Sequence, residues 1–331
     1  MKRVCVIPGD GIGPEVVAAA RRVLDAVAPP VDYTEADAGL ACRKRTGHYL
    51  PQATLDAALG ADAVLFGAIT SPLAHEDPDY KSVILRLRQA LDLYANLRPA
   101  KDWGQPCLVP GLDLLLVREN SEGMYNCPEE EDAEGVTTFR RITKRGSSRV
   151  TSFALDLAVR EKRREVTVVH KANVLRLSDG LFRRVFYEEA AKRASIKTSE
   201  MLVDNCALQL VRDPKRFDVI VTMNLYGDVL SDECAGLVGG LGFAPSGSYG
   251  PKHALFEPVH GSAPDIAGKG LANPTATILS AAMMLRHLGL ARDAARVEDA
   301  VRAALAEGRT RDAGGTLSTD AFADLVAARV A

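Results

Sequence analysis

Two aspartates four residues apart, Asp228 and Asp232, follow the β-branched apolar run Phe217 to Met223, which has the length of a strand. The pattern predicts a turn over Asn224 to Gly227 and a helix from Asp228 onward. On a helix such a pair shares one face, with Cβ atoms about 5–6 Å apart. Two hard oxygen ligands at that separation can hold one divalent cation, and oxygen-only ligation favours Mg²⁺ or Mn²⁺ over Zn²⁺. The same spacing also suits a helix-capping Asp228 beside a solvated Asp232. A third carboxylate, Asp204, lies at the end of the strand-like run Met201 to Asn205. Arg88, Arg98 and Arg118 fall at or near predicted element ends, where α/β folds place ligands. Guanidinium forks match carboxylates, so three converging arginines suit a polycarboxylate, although each alone suits a surface ion pair. Lys171 closes the strand-like stretch that begins at Glu165. Burial there would lower its pKa and make it a base; a solvated lysine is the plainer alternative.

Positioning these groups requires several elements. Buried strands are predicted at Val4 to Ile7, Ala63 to Gly67 and Asp113 to Val117, with helices at Val16 to Val27, Ser82 to Leu93, Ser152 to Arg160, Thr275 to Leu288 and Asp293 to Glu307. Thr319 is expected to cap a last helix. Alternating strands and helices give an α/β layered fold. Gly9 to Pro14 invites a dinucleotide-binding turn, but its spacing is G-x-G-x-G-P instead of G-x-G-x-x-G, so it is set aside as a decoy. An acidic run, Glu129 to Glu134, and a basic one, Arg140 to Arg149, flank β-prone residues and predict a solvated hairpin. The loop Phe256 to Gly268 is polar and built of small residues, the kind that wraps a cofactor with backbone groups.

Composition narrows the classes. A chain of 331 residues predicts two domains. Its net charge of −2 gives no field for nucleic acid or an anionic membrane, and no apolar run approaches the ~20 residues of a membrane span. The six cysteines form no C-x-x-C pair, which predicts reduced thiols and a cytoplasmic setting without a disulfide framework or a zinc cage.

Gly9 to Glu15, Asn96-Leu97-Arg98-Pro99, Arg118 to Tyr125, His170-Lys171-Ala172-Asn173, Asn224 to Asp232 and His260 to Pro274 together resemble the metal-dependent β-decarboxylating dehydrogenases of isocitrate, isopropylmalate and homoisocitrate. The resemblance covers essentially the whole chain. It implies an isopropylmalate dehydrogenase-like two-domain layered fold, not a Rossmann fold. Residues 1–99 and 250–331 would form the large domain. Residues 100–249 would form a smaller one that dimerises partly through an arm at about 125–150.

The resemblance also implies roles. Arg88, Arg98 and Arg118 would bind the malate carboxylates, with Ser82 and Asn173 completing the substrate contacts. Asp228 and Asp232 would hold Mg²⁺ or Mn²⁺ together with Asp204 of the neighbouring subunit. Tyr125 and the neighbour's Lys171 would be the acid/base pair. Thr70, Asn173, His260, Gly261, Ser262, Ala263, Asp265, Ile266 and Asn273 would bind NAD, with Asp265 and Ile266 standing where NADP enzymes of the family carry Lys and Tyr. The partners implied are a small polycarboxylate and a second copy of the chain, as a homodimer or dimer of dimers with shared sites. The chemistry is removal of a hydroxyl proton as hydride leaves for NAD⁺, loss of CO₂, and protonation of carbon by an acid, with the cation as Lewis acid. A non-catalytic regulatory subunit of the same family is the alternative of different class; the presence of every acid/base and metal residue favours the enzyme.

The substrate is decided at the helix near Lys81 to Arg88. Isocitrate enzymes resemble S-x-N there, and Ile84 removes the Asn. Isopropylmalate enzymes share apolar residues at Ile84 and Leu85 but carry an acidic residue at Lys81. Lys81 beside Ser82 and Tyr80 suits a distal carboxylate, which predicts homoisocitrate and lysine synthesis by the aminoadipate route. Isopropylmalate, in leucine synthesis, and isocitrate are the alternatives.

Overall fold

The structure, a computed structural model, describes residues 1–72, 77 and 80–330. The chain divides into two compact units, Met1–Leu93 with Trp103–Leu108 and Gly239–Ala331, and Tyr94–Asp102 with Val109–Val238. The first opens with β1 (Lys2–Gly9), whose residues Val4 to Ile7 are buried. Helix α1 (Gly13–Val27) follows, with proline in its first turn and the apolar stripe Val16, Ala20, Val23, Leu24 and Val27 turned inward. Next come β2 (Val31–Glu35), α2 (Leu40–Thr46), α3 (Gln52–Gly60), β3 (Ala63–Ala68) and α4 (Val83–Ala90).

The second unit contains β4 (Ala95–Lys101), β5 (Asp113–Glu119), the hairpin β6 (Glu129–Glu131) and β7 (Val136–Thr138), and α5 (Lys144–Arg160). It continues with β8 (Glu165–His170), α6 (Ser178–Ala190), β9 (Lys197–Leu202), α7 (Val203–Arg212), β10 (Val219–Thr222) and α8 (Asn224–Leu237). The chain then returns to the first unit with β11 (Pro245–Tyr249), β12 (Ala254–Pro258), α9 (Thr275–His287), α10 (Ala291–Glu307) and α11 (Thr319–Val330).

Strand order in the first unit is β2-β1-β3-β12-β11, with only β11 antiparallel to its β12 neighbour. In the second it is β4-β5-β10-β8-β9, with only β4 antiparallel to β5. These mixed, parallel-dominated orders are not the 3-2-1-4-5-6 of a dinucleotide-binding Rossmann sheet. The glycine turn explains its own failure as a phosphate cradle. Asp10 N donates to Ala68 O at 2.7 Å, Ile12 N to Ser262 O at 2.8 Å and Gly13 N to Asp10 O at 2.8 Å, so its donors are used inside the unit. A Cβ on Gly11, at φ +59°, would sit 1.9 Å from Ser262 O, so glycine there is a packing requirement.

Each unit has its own apolar core. Ile7, Val64, Phe66, Leu87, Leu91 and Leu255 meet in the first, and Leu114, Leu116, Cys206, Leu210, Ile220 and Leu230 in the second. The unit boundaries differ from 99/100 and 249/250 because β4 pairs with β5 from Ala95 onward and β11 pairs with β12 from Pro245 onward.

Several local expectations are corrected. Helix α8 begins at Asn224, so Asp228 stands a full turn inside it and is no cap. Asp204 belongs to the first turn of α7, not to a strand, because β9 ends at Leu202. Hairpin residues end at Thr138, and α5 starts at Lys144, where Thr143 Oγ1 accepts from Gly146 N at 3.0 Å. Thr319 does not cap α11: its hydroxyl donates to Ala272 O, and Ser318 Oγ accepts from Ala321 N. All six cysteines are free.

Candidate active site

In the second unit five of the predicted residues meet. β4 supplies Arg98, β5 supplies Arg118, the 3-10 turn Met124–Asn126 supplies Tyr125, and one face of α8 supplies Asp228 and Asp232. Arg98 Nη1 lies 3.3 Å from Asp228 Oδ1 and 3.5 Å from Asp232 Oδ1, so both carboxylates reach one cationic centre. Arg118 Nη1 also donates to Asp228 Oδ1, and the Tyr125 hydroxyl donates to Asp228 Oδ2. Burial, then the adjacent Asp228 carboxylate, holds the Tyr125 phenol above its ordinary range. Burial raises the Asp232 carboxyl, Arg98 opposes that rise and Asp228 adds to it. Two carboxylates on one helix face offer oxygen ligands of the kind a divalent cation takes.

Sequence reasoning missed the residues that hold these groups. Arg118 is 2% exposed, and its Nε and Nη2 donate to Asn224 Oδ1 at 3.1 and 2.8 Å, while Asn224 Nδ2 donates to Glu122 O at 3.0 Å. Arg98 Nε donates to Asn96 Oδ1 at 2.7 Å and its Nη1 to Ser231 Oγ at 2.7 Å. A Cβ on Gly227 would lie 2.6 Å from Arg118 Cγ, so the glycine makes room for the arginine. Only the glycine closing the predicted turn gave any local hint.

Lys171 and Asp204 form a separate pair. Lys171, just past β8, donates from Nζ to Asp204 Oδ1 at 2.5 Å, and that hydrogen bond holds the Asp204 carboxyl below its ordinary range. Among the described residues no group of three or more His, Cys, Asp or Glu could hold a metal. Asp204 therefore does not join Asp228 and Asp232 within one chain. Asn173 is exposed and lines a cavity of about 430 Å³ with His170, Arg183 and Glu200.

The remaining predicted residues lie in the first unit. Arg88 is buried, with Nη2 3.1 Å from Glu257 Oε1. Ser82 precedes α4 and its Oγ accepts from Leu85 N, which leaves the hydroxyl proton to donate elsewhere. Thr70 Oγ1 donates to Ser262 Oγ at 2.8 Å, and Thr70 N to Asp10 Oδ2 at 3.1 Å, tying the end of β3 to the loop after β12. In that loop His260 Nδ1 lies 3.0 Å from Gly261 O; a carbonyl only accepts, so Nδ1 carries the proton and Nε2 is the acceptor side. Burial pushes the imidazole below its ordinary range. Ile266 N donates to Ala263 O, and Lys269 Nζ to Asp265 O at 2.7 Å. Asn273 is engaged at both ends of its amide, by Asp312 Oδ2 and Thr275 N, each at 3.0 Å.

A family profile described as isocitrate/isopropylmalate dehydrogenase matches residues 3–326. The chain belongs to that family. It is thus an oxidatively decarboxylating dehydrogenase, of a family that uses NAD(P) and a divalent metal. The isocitrate/homoisocitrate dehydrogenase of Thermus thermophilus is 51% identical over 98% of this chain and 97% of its own length. The 3-isopropylmalate/3-methylmalate dehydrogenase of Methanocaldococcus jannaschii is 50% identical over 100% and 99%. The crystal structure of isocitrate dehydrogenase from Methylococcus capsulatus superposes with a TM-score of 0.96 at 42% identity, covering 100% of this chain and 99% of that one. Relatives named for four different substrates lie at 42–51% identity, so the family fixes the reaction type and leaves the substrate to the residues of this chain.

Proposed function

We propose that the chain catalyses NAD⁺-dependent oxidative decarboxylation of homoisocitrate to 2-oxoadipate and CO₂. The observation that carries the reaction is the cluster of Arg98, Arg118 and Tyr125 around Asp228 and Asp232. In this reading Arg88, Arg98 and Arg118 bind the malate carboxylates. Asp228 and Asp232 hold Mg²⁺ or Mn²⁺, with Asp204 contributed by a second copy of the chain. When bound, the cation supplies Lewis-acid polarisation at the oxygen on the substrate's second carbon. Lys171 of the second copy takes the hydroxyl proton as hydride departs. Tyr125, whose phenol keeps its proton in a partly buried site beside a carboxylate, returns a proton to carbon after CO₂ leaves. Asn173 faces the nicotinamide, and Thr70, the loop His260 to Ile266 and Asn273 hold the adenosine.

One residue supports NAD⁺ over NADP⁺: Asp265 is exposed and accepts ribose hydroxyls while repelling a 2′-phosphate. His260 Nε2 is an acceptor suited to the adenine amino group that both cofactors carry. Asn273, with both ends of its amide engaged, supports the adenosine side by fixing the start of α9. NADP⁺ should therefore give a far lower kcat/KM than NAD⁺.

Homoisocitrate rests on Lys81, which is exposed, beside Ser82 with a free hydroxyl proton. Isopropylmalate remains a second reading because Ile84 packs on the apolar core of the first unit. Rates with homoisocitrate, isocitrate and isopropylmalate, each with NAD⁺ and Mn²⁺, separate them. A site built for a distal carboxylate rejects an apolar analogue by orders of magnitude. Homoisocitrate should lead isopropylmalate by that margin and isocitrate by less; the highest kcat/KM on isopropylmalate overturns the role given to Lys81 and Ser82.

A further inference from the structure

Arg140 was expected at the solvated edge of a hairpin, yet its side chain is only 13% exposed and reaches inward. Its Nη1 donates to Asp179 Oδ1 at 2.7 Å, and Asp179, in the first turn of α6, is 0% exposed. The other carboxylate oxygen, Asp179 Oδ2, accepts from the backbone N–H of Lys171 at 2.7 Å. Arg140 Nη2 meets Met223 Sδ at 2.9 Å, and the guanidinium stands 5.2 Å from the Tyr226 ring. Met223 is the residue immediately before α8, the helix that carries Asp228 and Asp232. The neighbouring Arg141 O accepts from Gly123 N at 3.1 Å, two residues before Tyr125.

A buried ion pair is a poor source of stability compared with a packed apolar pair, and breaking it by removing one partner is costly because a bare charge remains. This one has a specific geometric consequence. The carbonyl of Lys171 is fixed by the turn through Val174 N and Leu175 N, at 3.0 and 2.9 Å, and its N–H is fixed by Asp179. The backbone that launches the lysine side chain is thus clamped on both sides, and one clamp depends on Arg140.

We infer that Asp179 and Arg140 are positioning residues for Lys171, with Asp179 orienting its backbone and Arg140 holding Asp179 in register with the start of α8. This rests on the proposed role of Lys171 as the base. The segment leaving the hairpin then links the two functional parts of the second unit: Arg140 reaches the Lys171 turn through Asp179 and touches the α8 start, and Arg141 touches the turn that carries Tyr125.

The test compares Arg140→Met, Arg140→Lys and the double variant Arg140→Met/Asp179→Leu as full chains. Four quantities are read: thermal midpoint, hydrogen exchange at the Lys171 amide, the kcat and KM for homoisocitrate with NAD⁺ and Mn²⁺, and the pH profile of kcat. Arg140→Met leaves a buried carboxylate without its counter-charge and should lower both the midpoint and kcat. The double variant removes that charge and should recover the midpoint, while the Lys171 amide exchanges at least about tenfold faster. Its kcat should stay about 10- to 100-fold down at little-changed KM, the usual cost of a lost supporting hydrogen bond or a displacement near 1 Å. Its pH profile of kcat should also differ from wild type. Arg140→Lys, which keeps the charge, should recover much of kcat. Wild-type kcat, pH profile and amide exchange in the double variant would overturn the inference. Amide exchange depends on no reaction, and Lys171→Met is the separate control: wild-type turnover in that variant would remove the proposed base while leaving the exchange result to judge the clamp.

Discussion

Arg118 can lie fully buried beside α8 only because residue 227 has no side chain. A methyl group there would meet Arg118 Cγ at 2.6 Å and Cβ at 2.7 Å. Overpacking of this kind costs about 1–3 kcal/mol and displaces the flexible partner. Gly227→Ala should therefore lower the thermal midpoint by several degrees and raise KM for a polycarboxylate more than it lowers kcat. An unchanged KM would mean that Arg118 is not the carboxylate anchor. Asp228 bears on the same arginine differently, since its two oxygens receive Arg98, Arg118 and Tyr125. Asp228→Asn keeps the shape and removes the charge. It should leave the circular dichroism spectrum intact and abolish Mn²⁺-dependent turnover, and full activity of the variant in excess EDTA would refute the metal assignment.

Between elements, helices α5 and α6 are joined by the Glu189 carboxylate, with the exposed Lys144–Glu188 pair beside it. Glu189 of α6 accepts from Ser148 Oγ at 2.8 Å and Ser152 Oγ at 3.0 Å on α5, and from Lys192 Nζ at 2.9 Å. Burial alone would raise its pKa, but those hydrogen bonds win and hold it at about 2, against an ordinary value of 4.5. A depressed folded-state pKa gives stability that is fully present above the unfolded value and is lost as pH falls toward the folded one. Glu189→Gln should accordingly flatten the fall of stability between pH 4.5 and 2, and an acid-unfolding curve parallel to wild type would show that the carboxylate contributes nothing. The elements themselves were legible where a run of apolar residues had the period of its structure: β1, β3, β5, β8, β10 and the stripe of α1 all stand where the pattern put them. Helix starts were not. The first turn of α8 was taken for a loop because Asn224 and Gly227 are poor helix formers. Both are there for Arg118, a contact 106 residues away in sequence for Asn224 that no local window contains. At Asp204 the cause was different, since β9 passes into α7 without a connecting residue. The start of α5 was hidden by the basic residues from Arg140 to Arg149, which resemble a solvated edge until Thr143 is seen to cap the helix.

For the molecule as a whole, the arrangement of the second unit makes best sense if a site is completed by a second copy. Tyr125 is bonded to Asp228, whereas Lys171 is bonded to Asp204, and no third acidic ligand joins Asp228 and Asp232 among the described residues. Under the proposed function, one chain would thus offer two half-sites. The helices that carry Asp204 and Asp228 also expose apolar side chains: Leu208 and Val211 on α7 are 52% and 70% exposed, and Val229 on α8 is 63% exposed. In the hairpin segment Val136 and Phe139 are 60% and 42% exposed. Under the proposed function these groups would serve as the contact face of a two-fold dimer, which presents the same surface from both copies. If each site takes Tyr125 from one copy and Lys171 from the other, Tyr125→Phe and Lys171→Met inactivate both sites of their own dimers. A hybrid of the two instead collects both lesions in one site and leaves the other intact. Random reassortment makes half the dimers hybrid, each with one working site of two, so a mixed and reassembled sample should regain about a quarter of wild-type activity. If subunit exchange is demonstrated by mass and activity stays at the level of the separate variants, Tyr125 and Lys171 serve the same chain, and the third metal ligand must be sought elsewhere than in Asp204 of a second copy.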